Sequence, residues 1–167
     1  VQEISSGATQ ALGNIEIDGI SSDNLSSMME KVTAGATGAL GQISMEGYSS
    51  SNLTTMLSKI TSGATSALGD IEMEGYSSDN LSLMVEKITA GATSALDEIQ
   101  LEGFSSDNLS SMVQEITSGA TGALDEIEMA GFDPSTDVFS MTEKVILGTT
   151  GALSEIEMDG YDSDDLE

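Results

Sequence analysis

The chain of 167 residues contains no cysteine and no histidine. Without cysteine, it forms neither disulfides nor thiolate metal sites. Without histidine, it lacks the commonest catalytic base and the commonest transition-metal ligand. No apolar run approaches the ~18–20 residues of a transmembrane helix, so we expect no membrane insertion.

Basic residues are also scarce. Four lysines and no arginine face 29 acidic residues, which gives a net charge of −25. Nucleic-acid binding depends on basic side chains that neutralise phosphates, so this balance argues against a nucleic-acid partner. Cations and basic surfaces are the partners that the charge favours.

Proline and aromatic residues are few, and most of the chain is a tandem repeat. The stretch GYSSDNL at 75–81 recurs in related form at 19–25, 47–53 and 103–109, and more distantly at 131–138 and 160–166. Its leucines Leu25, Leu53, Leu81 and Leu109 lie 28 residues apart. Such a period is the sequence signature of a repeat architecture. We therefore interpret residues 1–167 as a single repeat array.

Both ends of the sequence fall in the middle of a repeat. Residues 1–19 align with residues 113–131, and Leu166 and Glu167 match Leu109 and Ser110. The sequence therefore predicts about six repeats, with a repeat cut at each end. We expect the chain to be a fragment of a longer protein.

Residues 106–131 show the pattern of one repeat. Apolar or small residues recur there at Leu109, Met112, Val113, Ile116, Ala120, Ala123, Leu124 and Ile127. At ~100° per residue these positions share one face of an α-helix. The pattern predicts a helix of about 20 residues in each repeat. Ser106, Asp107 or Asn108 is expected to supply the N-cap, and Gly131 to end the helix.

Two other helical arrangements compete with one helix per repeat. A continuous coiled coil fits a period of four heptads, but a glycine and a cap signature in every repeat would interrupt it. A helical hairpin that turns at Gly119 would have no reason to keep the apolar stripe in phase across the turn. We favour a single helix with Gly119 at a close helix contact, where alanine is tolerated and leucine overpacks. The predicted fold is all-α, with antiparallel helices stacked as a solenoid or an extended up-and-down array.

Acidic residues near the C-terminus are the candidate ligand site. Asp159, Asp162, Asp164 and Asp165 lie close together in the sequence, and calcium prefers six to eight oxygen ligands. These acids also suit helix N-termini, where the helix dipole stabilises negative charge. Calcium is therefore a candidate cofactor. The alternative is that these acids are solvated residues at helix N-termini.

Threonines four residues apart form a second recurring feature, as in Thr33 and Thr37 or Thr61 and Thr65. Displayed on a surface, they would form a polar ladder that faces ice or a carbohydrate. Within a helix contact, their hydroxyls would bond the carbonyl one turn back.

No unique constellation of catalytic side chains is present, so we expect no enzyme. The sequence favours a structural repeat segment of a long extracellular or cell-surface protein, forming a stalk, a fibre or a self-assembling filament. Self-association with further copies is the expected partnership. A calcium-dependent adhesion array is the alternative function, and a threonine ladder that binds ice or carbohydrate is a third.

Overall fold

The computed structural model describes residues 1–13, 21–42, 49–71, 77–99, 106–127, 136–154 and 156. These ranges contain six α-helices and no strand, which confirms the all-α prediction for the described part of the chain. The helices are α1 Gln2–Gly13, α2 Ser22–Gly41, α3 Ser50–Ser66, α4 Ser78–Ser94, α5 Ser106–Ala123 and α6 Asp137–Leu153. Short 3-10 helices follow α3 at Ala67–Asp70 and α5 at Leu124–Glu126.

The helices begin at the serine pair of the repeat. The first serine of each pair caps α2, α3 and α4, at Ser21, Ser49 and Ser77. In α3 the Asn52 side chain accepts a hydrogen bond from the Ser49 backbone amide at 2.9 Å, and the Asn52 amide donates to Ser49 Oγ at 3.4 Å. This reciprocal pair is a capping box. α5 begins at Ser106, so Ser106, Asp107 and Asn108 all lie in its first turn, and the prediction that one of them is the N-cap is wrong.

The helices end earlier than the apolar stripe. The α-helical part of α5 stops at Ala123, and the chain then tightens into a 3-10 turn. Ile127 follows in an extended conformation, with φ −82° and ψ 106°. Leu124 and Ile127 are nevertheless buried, because the 3-10 turn keeps both side chains against the core. Gly131, predicted to end the helix, lies outside the described residues.

Glycine lies within the helix in each repeat, and no hairpin forms there. Gly119 is inside α5, and Gly91 is inside α4. The unbroken phase of the stripe across Gly119 is therefore explained by one continuous helix.

The most extensive helix contacts join helices two apart in the chain. α3 packs between α1 and α5, and α4 packs between α2 and α6. Consecutive helices make smaller backbone contacts. In the predicted up-and-down array, the closest packing would join consecutive helices. The structure differs because glycine allows the backbones of helices two apart to approach most closely.

The buried side chains form two clusters between these sets of helices. One cluster joins the first halves of α2, α4 and α6 to the ends of α3 and α5. The other joins the first halves of α3 and α5 to the ends of α2 and α4. Consecutive helices therefore run antiparallel, and helices two apart run parallel. Ile116 and Ile88, at the same position of the repeat, are fully buried in different clusters.

Candidate functional site

The predicted calcium ligands Asp159, Asp162, Asp164 and Asp165 all lie outside the described residues. Within the described ranges, no group of three or more acidic side chains converges in a way that would hold a metal ion. Calcium binding therefore stays a prediction from the sequence. No helix in the described part of the chain is long and apolar enough to cross a membrane.

The repeated glycine forms a backbone contact between helices two apart. A Cβ atom added to Gly119 would lie less than 3.0 Å from the carbonyl oxygen of Ser58, on α3. Gly91 meets the carbonyl of Glu30 in the same way, and Gly148 meets that of Glu86. At Gly63 the added Cβ would lie 2.5 Å from the carbonyl oxygen of Gln2. Each partner is the residue five positions before the glycine of the earlier helix.

This geometry overturns one expectation about Gly119. We expected alanine to be tolerated at a close helix contact and only leucine to overpack. The atom that an alanine Cβ would meet belongs to the Ser58 backbone, which cannot move aside as a side chain does. Glycine is therefore required at this contact because only a residue without Cβ lets the two backbones approach so closely.

The paired threonines lie within these same contacts. Thr33, Thr37, Thr61, Thr65, Thr89 and Thr93 are all fully buried. In this fold their hydroxyls are therefore inaccessible to a bulky ligand such as ice or a carbohydrate. The first threonine of each pair donates to the carbonyl one turn back, as Thr33 does to Met29 at 2.8 Å. This bond is the one expected of a threonine at a helix contact.

The second threonine of each pair behaves differently. The hydroxyls of Thr9, Thr37, Thr65 and Thr93 are buried and have no hydrogen-bond partner. In α5, the last odd-numbered helix, the equivalent Thr121 is partly exposed and donates to the Thr117 carbonyl at 2.8 Å. The hydroxyl of the second threonine thus lacks a hydrogen-bond partner in each helix that is covered by the helix two positions later. An unsatisfied buried hydroxyl costs about 1–3 kcal/mol.

Glycine and threonines give each helix two different sides. The threonines lie two positions before and after the glycine, so at ~100° per residue they project about 160° away from it. The glycine faces the helix two earlier, and its added Cβ would approach that helix's first threonine, as Gly148 approaches Thr89. We call the glycine side the rear side and the threonine side the front side.

Ion pairs follow the same direction. Lys87 on α4 contacts Glu30 on α2 at 3.1 Å, and Lys144 on α6 contacts Glu86 on α4 at 2.8 Å. Each pair links the rear side of one helix to the front side of the helix two earlier. The side chains of both pairs are partly exposed, and such pairs add little stability but favour one register.

In the described part of the chain, no other helix covers the rear sides of α1 and α2 or the front sides of α5 and α6. We define the rear end face as Ile4 and Gly7 on α1 with Lys31 and Gly35 on α2. Gly7 and Gly35 have no neighbour within 4 Å of an added Cβ, in contrast to the buried glycines further along the chain. Ile4 is 71% exposed, whereas the equivalent Ile60, Ile88 and Ile116 are fully buried.

We define the front end face as Thr117 and Thr121 on α5 with Phe139, Glu143 and Ile146 on α6. Phe139 is 70% exposed and Ile146 is 51% exposed. On α4 the corresponding residues are the small Ser82 and Thr89, both buried, and Thr89 lies beside Gly148 of α6. Phe139 and Ile146 therefore depart from the repeat, and aligning the repeats would have revealed them from the sequence.

No known protein-family model matches this sequence, and a search of curated proteins finds no match. The functional interpretation therefore depends on the packing of the helices.

Proposed function

We propose that the chain is a structural repeat segment of a long extracellular or cell-surface protein, which forms a stalk, a fibre or a self-assembling filament. Its helices form an open solenoid, in which each added helix packs on the helix two positions earlier. The location outside the cell is the expectation drawn from the sequence. The role is mechanical and carries no catalysis.

The repeated glycine contact is the observation that carries this proposal. Gly63, Gly91, Gly119 and Gly148 each meet the residue five positions before the glycine of the helix two earlier. A contact that recurs with the same offset has no built-in end, unlike the unique core of a globular domain. Stability in such an array is approximately a sum of the repeats and their neighbouring interfaces.

Extending the array tests the proposal. We would insert a second copy of residues 50–105, which holds two repeats, directly after Ser105. One helix is then added to each set, so the particle should lengthen by about 8–10 Å with an unchanged cross-section, since that is the usual distance between packed helices. Small-angle scattering measures both dimensions.

A scrambled insert of the same composition is the control, and it should add disordered chain instead of length at constant cross-section. If the in-register insert also unfolds, or if it produces a thicker particle of unchanged length, the solenoid and the structural function built on it are wrong.

A further inference from the structure

We propose that charged residues beside the glycine contacts act as a pairing code, which selects the helix on which each new helix packs. The code keeps the odd-numbered helices α1, α3 and α5 in one set and the even-numbered helices α2, α4 and α6 in another. The building unit of the array is then a pair of repeats, one for each set. The inference rests on the proposed structural function and specifies which helices pack on each other within it.

The glycine contact determines which side chains face each other across two packed helices. Gly91 of α4 lies against the carbonyl of Glu30 on α2, and Lys87, one turn before Gly91, contacts the Glu30 side chain at 3.1 Å. The residue four positions before a glycine therefore lies beside the residue five positions before the glycine of the helix two earlier. We call the first of these the rear charge position and the second the front charge position.

The even-numbered helices carry opposite charges at these two positions. The front charge position holds Glu30 on α2 and Glu86 on α4. Each glutamate pairs with the lysine at the rear charge position of the next even-numbered helix, Lys87 at 3.1 Å and Lys144 at 2.8 Å. An acid at the rear charge position would meet another acid there, so the even set attracts lysine and repels glutamate.

The odd-numbered helices differ at both positions. Their front charge position is uncharged, with Gln2 on α1, Ser58 on α3 and Gln114 on α5. At the rear charge position, α5 carries Glu115 where every even-numbered helix carries lysine. Because Gly119 meets the Ser58 carbonyl, this register places Glu115 beside Ser58. α5 therefore fits on α3, whereas on α2 or α4 its glutamate would face a glutamate.

A second position alternates between the two sets. The residue directly before the glycine is serine in the odd-numbered helices and apolar in the even-numbered ones; these residues are Ser6, Ser62, Ser118, Ala34, Ala90 and Leu147. This position lies about 100° from the glycine, on the side away from the buried stripe. All six residues are partly or fully exposed, so packing against the core does not impose the alternation. The alternation supports a building unit of two repeats.

Repulsion gives the code its discrimination. Partly exposed ion pairs add little stability, but specificity is the difference between a correct contact and a wrong one, and an unfavourable charge contact contributes to that difference. The repeats share their glycine, their threonines and their buried stripe, so these features do not distinguish one earlier helix from another. A slip by one repeat would bring Glu115 of α5 against Glu86 of α4.

Insertion of a single repeat tests the code. We would place a second copy of residues 78–105 directly after Ser105, which adds one helix and moves α5 from α3 onto α4. Glu115 then faces Glu86 instead of Ser58. The substitution Glu115→Lys is introduced into the chain with the insert and into the unchanged chain, because it supplies a cation to Glu86 only in the first. Both chains change by the same net charge.

Melting temperatures at low salt give the result. Glu115→Lys should raise the melting temperature of the chain with the insert by roughly 2–4 °C more than that of the unchanged chain, as expected when two partly exposed charges change from repulsion to attraction. In 1 M sodium chloride the Debye length is ~3 Å, so this excess should largely disappear. The matched control Glu126→Lys replaces an exposed acid after α5 that lies outside both charge positions, and it should affect the two chains equally.

A second substitution tests the code in the chain of unchanged length, including the case in which the inserted repeat prevents folding. Ser58→Glu places a glutamate beside Glu115 and should lower the melting temperature relative to the uncharged Ser58→Gln. In the Glu115→Lys background, Ser58→Glu should instead raise it relative to Ser58→Gln.

Equal gains from Glu115→Lys in the two chains would overturn the code, and so would an excess that persists in 1 M sodium chloride. The absence of a sign change for Ser58→Glu between the two backgrounds would also overturn it. If the insert of residues 50–105 lengthens the particle at constant cross-section while these charge effects are absent, the structural function stands and only this inference fails.

Discussion

Gly91 and Gly35 hold the same position of the repeat, yet their surroundings differ completely. Gly91 is pressed against the carbonyl of Glu30, whereas Gly35 has open space beside it. In the described part of the chain, α4 packs on α2, whereas the glycine side of α2 is not covered by another helix. Residues at the same repeat position are therefore closely packed in some helices and open in others. Paired substitutions at equivalent positions compare the two situations.

The largest expected contrast is between Ile116 and Ile4. Ile116 is fully buried, and Ile4 is 71% exposed. Ile116→Asp buries a carboxylate without a partner, which costs several kcal/mol. Because Ile116 shares its cluster with the first half of α3 and the end of α4, these segments and α5 should lose protection. Ile4→Asp leaves its carboxylate in water and should change stability little.

Hydrogen exchange resolved by helix measures both variants. In Ile116→Asp, the first half of α2 should keep its protection, because its buried residues Leu25 and Met29 belong to the other cluster. A uniform loss of protection in all described helices would show one cooperative globular bundle and would contradict the repeat array.

The next contrast lies within α5, between Gly119 and Gly122. Gly119→Ala forces a Cβ against the Ser58 backbone and should destabilise the chain by about 1–3 kcal/mol, the usual cost of overpacking. Gly122→Ala enters open space and should stabilise it by about 0.5–1 kcal/mol through helix propensity. Chemical denaturation of the two variants is the measurement. Equal effects at the two positions would mean that the close backbone contact does not exist.

A smaller contrast separates the two threonines of α4. Thr89 donates to the Val85 carbonyl at 3.1 Å, whereas the buried Thr93 hydroxyl has no partner. Valine has nearly the same shape, so Thr89→Val should lose about 0.5–1.5 kcal/mol and Thr93→Val should be neutral or stabilising. Thermal melts compare them, and a larger loss at Thr93 would indicate that its hydroxyl is bonded.

The smallest effect concerns the acidic residues. With a net charge of −25, self-repulsion should weaken as salt shortens the Debye length, which is ~10 Å at 0.1 M, so the melting temperature should rise with sodium chloride. Calcium chloride at equal ionic strength should raise it further only if carboxylates such as Asp162 and Asp164 bind calcium together. Equal melting temperatures in the two salts would remove the calcium proposal, and no response to either would contradict the self-repulsion.

The sequence was sufficient to predict the helices, their buried stripe and the glycine inside each one. Hydrophobic periodicity carries that information, because Leu109, Met112 and Ile116 recur at helical spacing. The pairing of helices two apart was not predicted, because the glycine and threonine sides that form this contact are small rather than apolar. Hydropathy does not distinguish such sides from a solvated surface. The early end of α5 at Ala123 was missed because a 3-10 turn also places Leu124 in the core.

The front end face was missed for another reason. Phe139 and Ile146 are apolar but lie beside the main stripe, roughly 90° around the helix, on a side where the other helices carry serine or threonine. Periodicity within one helix cannot show that such a side is left open, because the helix that would cover it belongs to a different repeat. Only the structure shows that Ile146 is half exposed.

Paired melts of Gly35→Ala and Gly91→Ala test the central claim most directly, since the two substitutions are chemically identical and differ only in the presence of an earlier helix. Gly91→Ala should lower the melting temperature by several degrees, because 1 kcal/mol corresponds to roughly 2–4 °C in a chain of this size. Gly35→Ala, measured at a concentration where the chain is single, should leave the melting temperature unchanged or raise it. A similar loss at both positions, or no loss at Gly91, would contradict an array in which each helix packs closely on the helix two positions before it.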